Sequence, residues 1–194
     1  VLLRTGEIDV VMTREADIFV PLEARISIAR AANADAFLSL HADALQEGGA
    51  QGATIYTLAD EASDAAAAAL AERHDRDDLL AGVDLTAQDD LVARVLMDMA
   101  RLETTPRIAR LANALEDAIK AQGIKMHRRP QQEAGFSVLK SPDIPSTLLE
   151  LGFMSSPADL ANLQDPAWRA RMANAVKDAL IAWAMAERAA APPP

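Results

Sequence analysis

Short apolar runs that stop on a polar residue set the rhythm of this chain. Ala36-Phe37-Leu38-Ser39-Leu40 ends on His41-Ala42-Asp43, and Ser146-Thr147-Leu148-Leu149 ends on Glu150 before Leu151-Gly152-Phe153. Both runs have the length and composition of buried strands, which deliver their terminal polar groups to one edge of a sheet. Ile8-Asp9-Val10-Val11-Met12-Thr13 is β-branched and reads as an earlier strand. Gly52-Ala53-Thr54-Ile55-Tyr56-Thr57-Leu58 reads as another, after a turn at Glu47-Gly48-Gly49, and is placed at a sheet edge. A further strand is expected over Phe136-Leu139, separated from that of Thr147-Leu151 by the turn Ser141-Pro142-Asp143-Ile144-Pro145.

Between these runs the period changes to that of a helix. Leu22, Ile26, Ala29 and Ala32 predict a helix from Pro21 to about Asn33, so that strand, helix and strand over residues 8 to 41 form a βαβ unit with a right-handed crossover. Residues 61 to 80 are rich in alanine and charge, a good helix by propensity with a poor apolar stripe, which Gly82 would end. Thr86-Ala87-Gln88-Asp89 resembles a cap for a second helix with Leu91, Val95, Leu96 and Met99 on one face. Pro106 marks a boundary, and Ile108, Leu111, Ala112, Leu115 and Ile119 start a new helix that reaches Gly123. Trp168, Met172, Val176, Leu180 and Trp183 form the clearest stripe, from Asp165 onward, and Ala190 to Pro194 read as a disordered tail. The expected architecture is α/β, a mostly parallel twisted sheet with helices on both faces and a helical insertion over about residues 60 to 101, in a single domain over residues 1 to 189.

Composition narrows the partners. With 19 Lys+Arg against 29 Asp+Glu, the formal charge of −10 repels nucleic acid and anionic membranes. No apolar run approaches the roughly 18 residues that cross a bilayer, so membrane insertion is not expected. The absence of cysteine leaves His, Asp and Glu as metal ligands. No glycine-rich phosphate loop follows any expected strand, which argues against a nucleotide-binding domain.

Among residues able to carry chemistry, Glu150 stands out. An ionised carboxylate set between Leu149 and Leu151 is costly unless an arginine or a metal compensates it. His41 suits either a hydrogen-bonded structural role or metal ligation, and Asp43 is most simply a cap. The one basic cluster, Lys125-Met126-His127-Arg128-Arg129-Pro130, reads as a loop. Its His127 and Arg128 are suited to holding a carboxylate, to pairing with Glu133, or to facing solvent.

The words around these residues are specific. Arg25, Ala31-Ala32-Asn33-Ala34-Asp35 leading to Ser39-Leu40-His41-Ala42-Asp43, and Leu139-Lys140-Ser141-Pro142-Asp143-Ile144-Pro145-Ser146 leading to Leu149-Glu150-Leu151-Gly152-Phe153-Met154-Ser155 resemble the zinc-dependent N-acetylmuramoyl-L-alanine amidases, from Asp9 to about Trp183. The resemblance implies a hydrolase that cuts the amide between N-acetylmuramic acid and the L-alanine of the stem peptide. It makes His41 a zinc ligand and Glu150 the catalytic glutamate, with stem-peptide carboxylates as the group for His127 and Arg128. The family's first histidine and its glutamate would lie upstream of Val1, where the first strand and most of the first helix are also expected; a chain without them should bind zinc weakly.

The insertion resembles the regulatory helix of periplasmic division amidases, which blocks the site until an activator displaces it. By position His74 takes the place of the glutamate that reaches zinc in those relatives, although in so charged a helix it also reads as a solvated side chain. The resemblance further implies a periplasmic, monomeric enzyme acting on peptidoglycan in cell division, with a LytM-domain activator. From a different class, the chain could be a non-catalytic wall-binding or partner-binding module that keeps the fold without its zinc.

Overall fold

A computed structural model describes residues 1–45, 50–80 and 91–190, with the side chains of 76–80 and 91–100 left out of the description. The turn at 47–49, the Gly82 stop, the cap at 86–89, the apolar face of Leu91 to Met99 and the tail beyond Ala190 lie outside what is described.

The four-stranded sheet has the order β1-β4-β2-β3, with β1 at Phe37–His41, β2 at Ala53–Leu58, β3 at Met126–Ala134 and β4 at Ser146–Glu150. β1 runs parallel to β4 and β2 parallel to β3, while β2 and β4 are antiparallel. Five helices surround it among the described residues: α1 at Leu22–Ala31, α2 at Ala65–Leu80, α3 at Leu91–Ala121, α4 at Pro157–Gln164 and α5 at Pro166–Ala190.

Alternation along the strands sends their side chains to two different cores. Ile55 and Leu149 meet α3 and α5 on one face, through Leu111, Leu115, Ile119, Trp168, Met172 and Trp183. Tyr56 and Leu148 meet α1 and α2 on the other, through Leu22, Ala67, Leu70, Phe136 and Leu139. Helices thus cover both faces, as the sequence leads one to expect. Polar contacts tie α3 to α5 beyond the apolar seam: Arg107 and Arg110 donate to Glu187 at 2.6 and 2.7 Å, and Trp183 Nε1 donates to the Arg107 carbonyl at 3.0 Å.

Five expectations need correction. Residues 8 to 13 form no strand; Val11 and Met12 are 59% and 63% exposed, and β-branched residues alone do not make a strand where no ladder receives them. The βαβ unit is therefore not formed. β2 is not an edge strand but lies between β4 and β3, with all of Ala53 to Tyr56 buried.

Pro106 does not divide two helices, because α3 runs unbroken through it. The carbonyl deprived of a donor by a proline belongs to the residue four positions earlier, and Leu102 there is 77% exposed to solvent. Phe136 to Leu139 are not a strand either, since Ser137–Leu139 is a 3-10 turn. This run is apolar without alternation, and it is buried whole beneath α2. Lastly, the basic cluster belongs to β3 rather than to a loop. The ladder jumps from Ala53 opposite Met126 to Ile55 opposite Gln131, so 127 to 130 bulge out of register. Pro130 is tolerated there because an edge strand has one side that donates to no neighbour.

Candidate metal and catalytic site

The parallel ladder between β1 and β4 places His41 directly opposite Glu150. Both side chains project toward the α1/α2 face, at the end where both strands finish. Beyond the ladder the two loops remain zipped: Leu151 donates its N–H to the His41 carbonyl at 2.9 Å and Met154 to that of Asp43 at 2.7 Å. Asp43 returns the favour, donating its own N–H to Glu150 Oε1 at 2.7 Å.

The opposite end of the same ladder, where Phe37 faces Ser146, is anchored as well. Arg30 of α1 donates two hydrogen bonds to Asp143, at 2.7 and 2.8 Å, and Ser141 adds a third at 2.7 Å. Those bonds hold the Asp143 carboxyl well below the usual carboxylate range, against the opposing effect of burial. Phe37 N–H then donates to the Pro145 carbonyl at 2.9 Å, which starts β1 beside β4. Arg25 is spent locally, with Nε on the Val20 carbonyl at 2.7 Å.

Helix α2 lies over the strand ends. His74 Nε2 approaches Asp43 Oδ2 at 2.6 Å, and its ring stacks 4.4 Å from that of His41 and meets Phe136 edge-on at 5.4 Å. On either side, Arg73 donates to the Ala44 carbonyl and Asp75 accepts the Ser137 N–H at 3.1 Å. The His74 side chain is only 11% exposed, which sets aside the solvated alternative. Asp43, expected to be a cap, instead turns its carboxylate to both imidazoles, with His41 Nδ1 at 3.7 Å. No local pattern distinguishes an aspartate that caps a turn from one that faces a histidine brought from another element.

Burial and charge act in opposite directions on the two acids. Burial raises the Asp43 carboxyl but is outweighed by hydrogen bonds and charge from His41 and His74, which hold it well below the usual range. Burial pushes Glu150 up to about 8; the Asp43 carboxylate adds to this, while the Asp43 N–H and Arg73 work against it. Glu150 is fully buried, and its Oε2 has no hydrogen-bond partner among the described residues.

One donor atom each from His41, Asp43 and His74 lie within 4.8 Å of one another. Two imidazoles and a carboxylate are the hard-to-borderline donors that suit zinc. Beside them, the unpartnered Glu150 Oε2 is the kind of buried acceptor that a proton or a cation would satisfy. The donor set therefore fits such an ion.

His127 sits in the β3 bulge, at the same end of the sheet but two strands from β4. Its Nδ1 accepts the Arg129 N–H at 3.2 Å and lies 3.3 Å from Gln132 Nε2, so it does not pair with Glu133. Arg128 is exposed. Asp159, overlooked in the sequence, is 4% exposed and its Oδ2 accepts the N–H groups of Gly52 at 2.8 Å and Phe153 at 3.0 Å. It thereby pins the loop after Glu150 to the start of β2. The Ser156-Pro157 helix start was the available signal, for Ser156 Oγ caps α4 at the Asp159 N–H.

A mixed α/β sheet that brings two histidines and two acids together at the ends of its parallel strands defines the fold and its site. The sequence profile of the N-acetylmuramoyl-L-alanine amidases matches residues 1–182, and the chain belongs to that family. It is 37% identical over 183 residues to the amidases AmiA of Escherichia coli and Salmonella typhimurium, covering 94% of this chain and 63% of theirs. To AmiC of Escherichia coli it is 32% identical over 174 residues, covering 89% and 41% respectively. The chain thus spans less than two thirds of the length of these relatives. Among solved structures, the catalytic domain of CwlV from Bacillus (Paenibacillus) polymyxa superposes with a TM-score of 0.62 at 20% identity, over 94% of this chain and 76% of that one. AmiC2 of Nostoc punctiforme gives 0.60 at 22% identity, over the same shares. These two likenesses bear on the fold alone.

Proposed function

We propose that the chain is the catalytic part of a peptidoglycan hydrolase that cleaves the amide between N-acetylmuramic acid and L-alanine, held shut by α2. The observation that carries this reading is the pairing of His41 with Glu150 at the ends of β1 and β4, in a chain that belongs to the amidase family.

His41, Asp43 and, in the closed arrangement, His74 would hold zinc. When bound, zinc supplies Lewis acidity, which acidifies water and polarises a scissile carbonyl. Glu150 is the proton carrier. Its Oε1 is fixed by the Asp43 N–H, which leaves Oε2 to take a proton from the nucleophile and pass it to the leaving amine. A group whose pKa lies near the working pH serves both halves of that task, and burial provides the upward shift.

Helix α2 is the regulatory element of this reading. Its His74 takes up the space between His41 and Phe136 into which a substrate carbonyl would have to come. An activator of the LytM-domain kind would lift the helix, and the periplasm is the compartment in which such a pair would meet the wall. His127 and Arg128 remain the side chains offered to stem-peptide carboxylates, at the same end of the sheet.

The test is direct. Purified peptidoglycan incubated with zinc and the protein opened at α2 by Asp75→Ala should release free stem peptides beginning with L-alanine, identified by mass. Glu150→Gln should abolish release while wall binding persists. Release that continues undiminished when Glu150→Gln is added to the opened protein would overturn the role of Glu150, and wall binding without release from the opened protein would favour a non-catalytic module.

A further inference from the structure

Resting on the reading of His41 as a metal donor, we infer that Ser39 is its positioning residue: the Ser39 hydroxyl selects which ring nitrogen of His41 faces the metal. Residues 39 and 41 stand on the same face of β1, because side chains alternate along a strand. The Ser39 Oγ lies 2.9 Å from His41 Nε2. The opposite nitrogen, Nδ1, points to Asp43 Oδ2 at 3.7 Å, on the side where the second imidazole, of His74, also lies.

The chemistry of the ring does the rest. An ionised carboxylate is an acceptor only, so a bare Nδ1 and Asp43 Oδ2 present lone pairs to one another and call for a positive charge between them. When a cation supplies that charge, Nδ1 must be unprotonated, and the neutral ring carries its hydrogen on Nε2. That hydrogen needs an acceptor in a place that is largely closed to water. Ser39, 9% exposed, provides it.

The cation on Nδ1 sets the tautomer, and the hydroxyl, by accepting the Nε2 hydrogen, fixes the rotation of the ring about its Cβ–Cγ bond. Partners behind a ligating histidine commonly change metal affinity by about 10-fold to 100-fold. Alanine at position 39 would leave the Nε2 hydrogen unsatisfied and the ring free to turn. Threonine keeps the hydroxyl and suits a strand.

The experiment loads the nitrogen-15-labelled protein with cadmium-113 and records scalar coupling to the imidazole nitrogens. Coupling to His41 Nδ1, with Nε2 protonated, is expected; coupling to Nε2 would overturn the inference without any variant being made. Zinc competition against a chromophoric chelator then compares variants whose far-ultraviolet circular dichroism matches that of the wild type. Ser39→Ala should weaken zinc by about 10-fold or more and Ser39→Thr should restore most of it. Equal affinity for wild type and Ser39→Ala would overturn the inference. A wild-type protein in which neither metal, raised to saturating concentration, shifts the His41 imidazole resonances overturns the metal reading itself, and this assignment with it, an outcome distinct from coupling at the wrong nitrogen.

Discussion

Asp43 serves Glu150 with its backbone and His74 with its side chain, at 2.7 Å and 2.6 Å. The same residue thus links the acid fully buried in the sheet to the helix laid over it. Lifting α2 would release the Asp43 carboxylate from His74 and leave the N–H contact to Glu150 in place. On the proposed reading, closure and catalysis are therefore separable.

Glu150→Gln is nearly isosteric and keeps an acceptor for the Asp43 N–H. It removes the proposed proton carrier and leaves His41, Asp43 and His74 untouched. Hydrolysis of muropeptide amides should fall by at least about 100-fold, the usual worth of a positioned acid or base. Zinc content measured by atomic absorption should not change. A loss of zinc together with activity would show that Glu150 helps to hold the ion.

Opening α2 without disturbing the candidate donors is the second test. Asp75 anchors the helix to the Ser137 N–H at 3.1 Å, and Asp75→Ala removes that anchor. Basal hydrolysis should rise several-fold, and amide hydrogen exchange in the described turns of α2 should quicken in parallel. His74→Ala should act in the same direction on activity. If exchange quickens and activity does not rise, α2 is a structural cover and not a regulatory one.

What could be read from the sequence and what could not divide along physical lines. Helix α5 was legible because Trp168 to Trp183 repeat at a fixed local period, and β1 and β4 because an apolar run that halts on His41 or Glu150 has few other uses. The strand expected at residues 8 to 13 failed because strand formation depends on a neighbour, which no local pattern supplies. Pro106 misled since the cost of a proline depends on whether the carbonyl it strands is exposed, a tertiary property. Asp43 reads locally as a cap and Asp159 carries no local signal of its own, because their roles come from groups far away in sequence: His74 for one, Gly52 for the other.

Gly52 offers a stability test of the close approach of β2 to β3. Its φ of +86° lies in the left-handed region, and a Cβ added there would sit 2.6 Å from the Met126 carbonyl carbon, which is backbone and cannot step aside. Gly52→Ala should therefore destabilise the fold by about 3 kcal/mol, the sum of backbone strain and overpacking. Urea unfolding followed by tryptophan fluorescence would measure it. A change below about 0.5 kcal/mol, the range of an ordinary surface substitution, would mean that β2 and β3 do not approach here as described.

The pH dependence of the α3–α5 clamp has a definite sign. Hydrogen bonds and charge from Arg110 and Arg107 hold the Glu187 carboxyl below its ordinary value, against the effect of burial. A carboxyl whose folded-state pKa is depressed contributes stability above its unfolded pKa, and that contribution disappears as pH falls through the folded value. Glu187→Gln should thus cost about 1 kcal/mol at pH 7, a figure kept low because both arginines are partly exposed. The difference between variant and wild type should narrow below about pH 4.5 and vanish in stronger acid. Thermal unfolding monitored at pH 7, 5, 4 and 3 would trace it. A gap between the two proteins that stays constant over that range would assign the loss to the seating of Arg107 over the Trp183 ring and not to the charge of Glu187.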